Sequence, residues 1–573
     1  TDGSVTVSSG ATINLAGTNK ALKISNTSPT AAITVIAALT ANGPITLDGG
    51  SLNIQSNLTS SYLDARILLK SKVSMTQTTA STLRTNSGKI ALWSDSDNSA
   101  GGNMAVSGII CTAPTATTCN SNATIGGDDI VLGGGTADAV DSLLPGGYSS
   151  GTGTATEYTA SGVQLGTLNT ANSGPKIYSS GGNINVKGQT FVSSSNTPIW
   201  ALGLVLVSGT EVNSGAGKIN LNGASAMAGT TGSGWLAGIE FNAWGSGTTN
   251  VISTNTATDS ITVRSENLQY GGGAKITGGR TGTEFANTSG GGLLVQANIV
   301  DGGLVASLRV TGPIAIEPVS ASFGETFAFD SSFTMASNPA GLTLGKPGNT
   351  SAVATSIAVS STGPIQIYGS DITTSSNITT TGSTGTVQIF ANGTFTNSAA
   401  INSSSGNQAT TIKAQKAALT GTINSGSAAT QVTGLVAART MNLGLTNDST
   451  DTLAISDAEV DTITAGTIRL GDATSGDITV SAAVSVASGN SNKVALRTAG
   501  NVTATGAGAL TATNLGISAG GTISLGGANS ISGNLAVVAS GASGGSGVSI
   551  SGLTSLSPVS VDAIDPVYGL GKN

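Results

Sequence analysis

Two aspartates, Asp95 and Asp97, stand at alternate positions with Asn98 beside them. Calcium-binding loops place their oxygen ligands at alternate positions in this way. The glycine and the bidentate glutamate that complete an EF-hand loop do not follow in this sequence. We therefore interpret the stretch first as a solvated turn and second as a low-affinity calcium site.

A second pair, Asp128 and Asp129, stands near the start of a glycine-rich stretch that runs from Gly126 to Asp138. The stretch resembles the glycine and aspartate nonapeptide of calcium-binding β-rolls, in which successive repeats share each ion. Only one degenerate copy is present, so a turn rich in Gly and Asp is the favoured interpretation. Calcium is thus the one cofactor for which the sequence offers weak candidate ligands: Asp95, Asp97, Asp128 and Asp129.

Nucleophilic catalysis of the Ser-His-Asp or Cys-His kind is excluded, because the chain contains no histidine to act as the base. A zinc site would lack its usual histidine nitrogen ligand, and two cysteines alone cannot complete a zinc site. The phosphate-binding motif Gly-x-x-x-x-Gly-Lys-Ser/Thr is also missing. Glycosidase chemistry needs only two carboxylates and stays formally open. The acidic residues are scattered, however, and the aromatic residues that stack on sugars make up only 3% of the chain. We predict that the protein is not an enzyme and has no catalytic residue.

The only two cysteines, Cys111 and Cys119, flank a short stretch rich in Thr, Ala and Pro. A disulfide that closes this loop contributes about 2.5 kcal/mol on a chain-entropy estimate. Disulfides persist in oxidising, extracellular surroundings. The alternative is a pair of free thiols in a polar loop, where thiols are reactive. We predict the disulfide, and with it an exported protein.

The composition limits the partners of the chain. Charged residues make up 9% of its 573 residues, with a net charge of −7 and no basic run, so nucleic acid binding is not expected. No segment reaches the roughly 20 apolar residues of a membrane helix. The mean hydropathy of +0.19 and the small number of prolines, 13, argue against a disordered chain. An ordered protein without a membrane-spanning helix is predicted.

One short pattern recurs along the chain: a Gly or polar turn residue, then alternating apolar and polar residues. Successive side chains of a strand point to opposite faces, so each unit predicts a short strand with one inward face. Pairs such as Gly-Gly and Ser-Gly separate the units as turns. No helical periodicity is sustained. Examples of the unit lie at 88–92, 182–186, 217–221, 363–367, 466–470 and 521–525.

Many short, evenly spaced strands without a period of about 100 residues favour a solenoid over tandem sandwich domains. The spacing predicts one continuous solenoid over residues 1–573, with coils of roughly 20 to 25 residues and a rod of about 120 Å. Loop excursions are expected near 131–160 and 323–345. The second contains Phe323, Phe327, Phe329 and Phe333, which we interpret as a small satellite core rather than a ligand platform.

Particular phrases resemble large filamentous-haemagglutinin-like bacterial exoproteins. They are Leu-Trp-Ser-Asp-Ser-Asp-Asn at 92–98 with Gly-Gly-Asn at 101–103, the repeated Gly-x-Ile-x-Leu/Val units, and the tail from Gly466 to Ser551. The resemblance implies a right-handed parallel β-helix, export by two-partner secretion or a related route, and a role in surface adhesion or assembly. No Asn-Pro-Asn-Gly secretion motif is present, so a mature repeat-bearing segment is expected.

Three functional hypotheses follow. The first is a secreted structural and adhesive β-helical protein of the bacterial cell surface, which mediates attachment or filament and matrix assembly and has surface components or glycans as partners. The second is a self-assembling surface polymer, expected because both ends of the sequence read as strands without a cap. The third, from the enzyme class, is a β-helical polysaccharide lyase or a tailspike-like protein.

Overall fold

A computed structural model gives the fold of the chain. It describes residues 3–8, 13–15, 17–26, 28–98, 101–113, 119, 126–151, 161–168, 170–190, 200–225, 235–243, 247–267, 274–279, 282–301, 303–541 and 547–551. The chain divides into two compact units. Unit 1 comprises Thr1–Gly324 and Ser332–Ser337, and unit 2 comprises Glu325–Ser331 and Asn338–Asn573.

Unit 1 is built from short β-strands that recur along the chain. Eleven of them form one parallel sheet, and most of the others pair side by side in a second set. The described strands are Val5–Val7, Ile13–Leu15, Leu22–Ser25, Ala32–Val35, Leu39–Ala41, Ile45–Ile54, Leu58–Leu63, Ile67–Gln77, Thr82–Asn86, Ile90–Ser94, Asn103–Val106, Ile109–Thr112, Ile130–Ala137, Pro145–Gly147, Ser149–Ser150, Val163–Leu165, Lys176–Tyr178, Ile184–Gln189, Trp200–Val207, Glu211–Gly215, Ile219–Ser225, Trp235–Ala243, Thr249–Ser253, Ile261–Asn267, Lys275–Gly278, Thr283–Asn287, Leu293–Gln296, Ile299–Val300, Ala306–Val310, Pro313–Glu317 and Phe333–Met335.

Unit 2 repeats the same construction with short parallel strands. It also holds a 3-10 turn at Ser404–Gly406 and one α-helical turn at Asp457–Val460, which has a Ser456/Glu459 capping box. The described strands are Phe327–Phe329, Gly341–Leu344, Val353–Thr355, Val359–Ser361, Ile365–Gly369, Ile372–Thr374, Ile378–Thr380, Val387–Asn397, Ile401–Asn402, Thr410–Leu419, Ile423–Asn424, Ala429–Thr433, Thr440–Leu443, Thr452–Ile455, Ile463–Thr464, Thr467–Gly471, Ile478–Val480, Ala483–Ser485, Lys493–Thr498, Val502–Ala504, Ala509–Ala512, Asn514–Ala519, Ile523–Leu525, Ser530–Ile531, Leu535–Ala539 and Val548–Ile550.

Strands of successive coils pair in parallel with their alternating patterns in register. Ile184 lies opposite Ile219, and Val186 lies opposite Leu221. All four side chains are fully buried, and burial of each such side chain contributes roughly 1.5–3 kcal/mol. The core is therefore a stack of aliphatic rows, and the prediction of an all-β parallel β-helix is confirmed.

The corners of the coils explain why Gly and Ser or Thr recur before each strand. Ser214 Oγ donates a hydrogen bond of 2.6 Å to the carbonyl of Gly217, three residues further along the chain. Ser179 binds Gly182, and Thr85 binds Gly88, in the same way. A Cβ atom on Gly217 would lie 1.8 Å from the carbonyl oxygen of Gly182 in the preceding coil. Glycine lets neighbouring corners approach this closely, and the buried hydroxyl satisfies a carbonyl that faces no solvent.

Coil length varies more than the sequence suggested. Gln366 and Gln388 occupy equivalent positions 22 residues apart, within the predicted range. Asn185 and Asn220 are equivalent at a separation of 35 residues. The longer coils carry insertions between strands, while the strands keep their register.

The segments expected to leave the solenoid contribute strands to it. Ile130–Ala137 pairs in parallel with Ile90–Ser94 and in antiparallel fashion with Pro145–Gly147; residues 152–160 lie outside the described residues. In the second segment, Phe333 lies opposite Ala306 in unit 1, and Phe327 lies opposite Val353 in unit 2. The four phenylalanines of this segment, Phe323, Phe327, Phe329 and Phe333, are all buried, as core residues are.

Candidate functional site

The four aspartates proposed as calcium ligands lie at opposite ends of neighbouring strands. Asp95 directly follows the strand Ile90–Ser94, whereas Asp128 and Asp129 directly precede Ile130–Ala137. Ile90 pairs with Ile130, so about six extended residues, roughly 20 Å, separate Asp95 from Asp129 along the strands. The two pairs cannot share one ion.

The Asp128 and Asp129 pair also has local partners. Asp129 forms an ion pair of 3.2 Å with Lys89 and accepts a hydrogen bond of 2.8 Å from the backbone N–H of Asn183. Asp128 accepts a bond of 2.7 Å from the N–H of Asp129, and burial raises the pKa of its carboxyl. Among the described residues, no group of three or more His, Cys, Asp or Glu side chains is placed to hold a metal ion.

Cys111 and Cys119 are joined as a disulfide, with their Cα atoms 5.9 Å apart. Cys111 lies fully buried in the strand Ile109–Thr112, opposite Arg84 in the preceding coil and Tyr178 in the following one. The bond therefore ties Cys119 to the stacked coils of unit 1.

On the outer face of unit 1, side chains from successive coils form a line that we call the polar row: Lys187, Asn222, Arg264, Gln296 and Glu317. Arg264 donates to Gln296 Oε1 at 2.8 Å, and Gln296 donates to Glu317 Oε1 at 2.7 Å. Cross-strand pairs of this kind stabilise a sheet by roughly 0.2–1 kcal/mol each. The row holds neighbouring coils together and keeps this part of the surface polar.

A tyrosine and a glutamate adjoin the polar row. The Tyr148 hydroxyl donates a hydrogen bond of 3.0 Å to Glu266 Oε2, and Glu266 also forms an ion pair with Arg264. Burial, followed by the charge of Glu266, raises the pKa of the Tyr148 hydroxyl. The phenol therefore stays protonated and serves as a hydrogen-bond donor.

Glu240 is a buried carboxyl in unit 1 with an unsatisfied oxygen. Glu240 is 5% exposed, and its Oε2 atom has no hydrogen-bond partner among the residues that the structure describes. Burial raises its pKa to about 7, against the opposing effect of the Lys275 charge. Lys275 itself is paired with Asp301 at 2.6 Å. Burial outweighs the Lys275 charge and therefore favours the protonated form of Glu240 relative to a carboxyl in water.

Unit 2 contains an open cavity of about 390 Å³ on the outer side of its coils, which we call the aromatic cavity. Tyr368 and Phe390 lie opposite each other in the paired strands Ile365–Gly369 and Val387–Asn397. Their rings are parallel within 4°, with centroids 4.8 Å apart. Both side chains are partly exposed, and burial raises the pKa of the Tyr368 hydroxyl. Pro347, Asn349, Asn392 and Leu435 also line the cavity.

A buried asparagine shapes one wall of the aromatic cavity. Asn349 is 1% exposed, and its Nδ2 atom donates to the carbonyl of Tyr368 at 2.8 Å. Its backbone N–H closes the turn by donating a hydrogen bond of 3.0 Å to the backbone carbonyl of Lys346. Asn392 donates to the carbonyl of Asn349 at 3.3 Å. These bonds hold the turn that carries Pro347 against the strand that carries Tyr368.

The lining of the aromatic cavity carries no charge among its described residues. Lys413 follows Phe390 in the same row and forms an ion pair of 3.3 Å with Asp472. Its charge is therefore balanced within the coil stack. The site offers apolar ring surface and neutral polar groups.

The aromatic cavity is not evident from the sequence alone. Aromatic residues make up only 3% of the chain, and we interpreted the phenylalanines between 323 and 333 as a small satellite core. Tyr368 and Phe390 stand 22 positions apart in the sequence. The signal was present as two similar units, Ile-Gln-Ile-Tyr and Val-Gln-Ile-Phe, whose matching fourth positions carry the rings.

Among the described residues, neither helical turn has the length or apolar character needed to cross a membrane. Comparisons with protein-family models, with curated proteins and with solved structures found no match.

Proposed function

We propose that the chain is a structural and adhesive β-solenoid of the bacterial cell surface, which attaches to glycans through the aromatic cavity of unit 2. The observation that carries the proposal is the solvent-open pocket with two stacked rings on its wall. Concave sites with mostly apolar walls and a few polar groups are the usual form of small-ligand sites. Core rings are buried, whereas Tyr368 and Phe390 remain partly exposed.

Two further features support this proposal. The polar row binds coil to coil along the outer face of unit 1, which suits a scaffold that carries mechanical load. The disulfide between Cys111 and Cys119 suits an oxidising, extracellular location. The proposed location is therefore the exterior of the cell.

The test is adhesion of beads coated with the purified chain to surfaces that carry immobilised glycans. The double variant Tyr368→Ala/Phe390→Ala removes the ring stack. Leu435→Trp fills the cavity while it leaves the stack in place, which guards against a folding defect in the double variant. Tyr62→Ala, at a partly exposed tyrosine of unit 1, is the matched control.

We expect wild type and Tyr62→Ala beads to be retained, and both cavity variants to be released. Circular dichroism confirms that each variant keeps its β-structure. Equal retention of the wild type and the Leu435→Trp variant, or no retention on any glycan, contradicts the proposal.

A further inference from the structure

We infer that the ligand of the aromatic cavity is an uncharged hexopyranose residue, packed on Tyr368, Phe390 and Leu435 and hydrogen-bonded by Asn392 and the Tyr368 hydroxyl. This inference rests on the proposed function, since it names the ligand of the same site. Its grounds are the size, wall chemistry, free polar groups and charge of the cavity.

The size of the aromatic cavity suits one or two sugar rings. Its volume is about 390 Å³, near the lower end of the roughly 300–1,000 Å³ typical of small-molecule sites. The cavity is open to solvent, because Pro347 and Asn392 on its rim are exposed. A sugar at the end or within the length of a chain can therefore enter, while the rest of the glycan stays outside.

The walls match the two kinds of surface on a pyranose. The C–H groups of a sugar ring form an apolar face, and aromatic rings and Leu435 provide apolar surface of similar width. Hydroxyl groups project from the edge of the sugar ring and need hydrogen-bond partners when they leave water. A purely aliphatic ligand would leave the polar groups of the cavity unused.

Two polar groups of the cavity are free to meet such hydroxyls. The Tyr368 phenol makes no hydrogen bond with any described residue, and it can donate or accept. Asn392 is exposed and uses only its Nδ2 atom, in the bond to Asn349, so its Oδ1 atom remains an available acceptor. Asn349 acts as a positioning residue, because both ends of its amide are occupied by backbone groups.

The charge of the site selects a neutral sugar. Recognition of a carboxylate or sulfate group normally uses Arg or Lys as a donor. No described lining residue is charged, and the nearby Lys413 is paired with Asp472. The net charge of the chain, −7, adds a further penalty for an acidic sugar. An acidic glycan would therefore meet no positively charged lining residue among those described.

Isothermal titration of the full chain with glucose, N-acetylglucosamine and glucuronate tests the inference. We expect at least one neutral sugar to bind, and glucuronate to bind at least about tenfold more weakly. Tyr368→Phe removes only the hydroxyl and should weaken binding about 3- to 10-fold, the usual effect of one hydrogen bond. Asn392→Ala should have a similar effect, and Leu435→Trp should abolish binding. Tyr62→Ala should bind as the wild type does.

Three results overturn the inference. They are equal or tighter binding of glucuronate, neutral-sugar binding that Leu435→Trp leaves intact, and no binding of either neutral sugar. Bead adhesion that depends on the cavity in the absence of neutral-sugar binding means that the sugar class is wrong and the proposed function stands. Adhesion that is indifferent to every cavity variant means that the proposed function itself fails.

Discussion

The carboxylate of Asp448 accepts a hydrogen bond of 3.0 Å from the backbone N–H of Ala417 in unit 2. The strand Thr410–Leu419 pairs with the preceding coil up to Leu419 but with the following coil only as far as Lys413, so its later residues have a strand on one side only. Asp448 accepts from Ala417, and the carboxylate of Glu459 accepts a hydrogen bond of 3.1 Å from the backbone N–H of Leu419. Two side-chain carboxylates thus replace a neighbouring strand and close an open sheet edge.

Removal of the Asp448 carboxylate should expose this edge. Burial raises the pKa of Asp448, and its other oxygen accepts from Ala454 at 2.7 Å. Loss of the acceptor from a partly buried N–H costs about 1–3 kcal/mol. In Asp448→Ala, hydrogen exchange at Ala417 should therefore be about 5- to 100-fold faster, as measured by mass spectrometry of a peptide spanning this strand. Asp448→Asn keeps one oxygen acceptor and should show a smaller change.

The control for this prediction is Asp451→Ala, which removes an exposed carboxylate of the same loop. It should leave exchange at Ala417 unchanged. Unaltered exchange in Asp448→Ala would mean that the carboxylate does not protect the edge.

Glu240 should make the stability of unit 1 depend on pH. Its pKa in the fold, about 7, lies above its ordinary value of 4.5. The folded state therefore binds this proton more tightly than the unfolded state does, and stability falls as the pH rises from about 4.5 to about 7. The loss amounts to about 3 kcal/mol, and Glu240→Gln should remove this contribution.

Tryptophan fluorescence measures this effect, because all four tryptophans of the sequence fall within the residue range of unit 1 and Trp93 is buried there. The urea midpoint of wild type minus that of Glu240→Gln should decrease between pH 5 and pH 8. Hydrogen exchange in unit 2 should not differ between the two proteins. A difference in midpoint that is constant with pH would show that Glu240 is already ionised, or already neutral, throughout this range.

Cys111 and Cys119 should resist alkylation in the freshly isolated protein. The buried position of Cys111 and the Cα separation of 5.9 Å suit a bridge that forms within the coil stack. Intact mass after denaturation and alkylation should show no label without a reductant and two labels with one. Label on both cysteines before reduction would contradict the bridge and weaken the proposed extracellular location.

The sequence predicts the coil interior well, because the strand period decides which side chains point inward. The units at 182–186 and 217–221 bury Ile184, Val186, Ile219 and Leu221, as their alternation requires. The turn glycines were also recognised, although not the Ser214 hydroxyl that binds the Gly217 carbonyl across the corner. At these positions, the local sequence pattern and local sterics are sufficient to predict which side chains are buried and where the turns lie.

The outer sites depend on the register between coils, which one sequence does not fix. Asp95 and Asp128 both stand in aspartate pairs that are typical of calcium ligands, but the pairing of Ile90 with Ile130 places them at opposite strand ends. Tyr368 and Phe390 do not form an evident pair in the sequence, yet the pairing of Ile367 with Ile389 brings their rings together. The separation of paired residues varies widely, from 19 residues between Val353 and Ile372 to 67 between Ile109 and Lys176, so the sequence alone does not show which outer side chains come together.

The decisive measurement is a crystal structure of the full chain soaked with the neutral sugar that binds best. We expect a sugar ring in the aromatic cavity, with carbon atoms within about 4 Å of Phe390 and Leu435, and hydroxyls bonded to Asn392 and the Tyr368 phenol. A sugar bound elsewhere on the surface while the cavity stays empty would contradict it. So would strands Ile365–Gly369 and Val387–Asn397 in a register that separates the two rings.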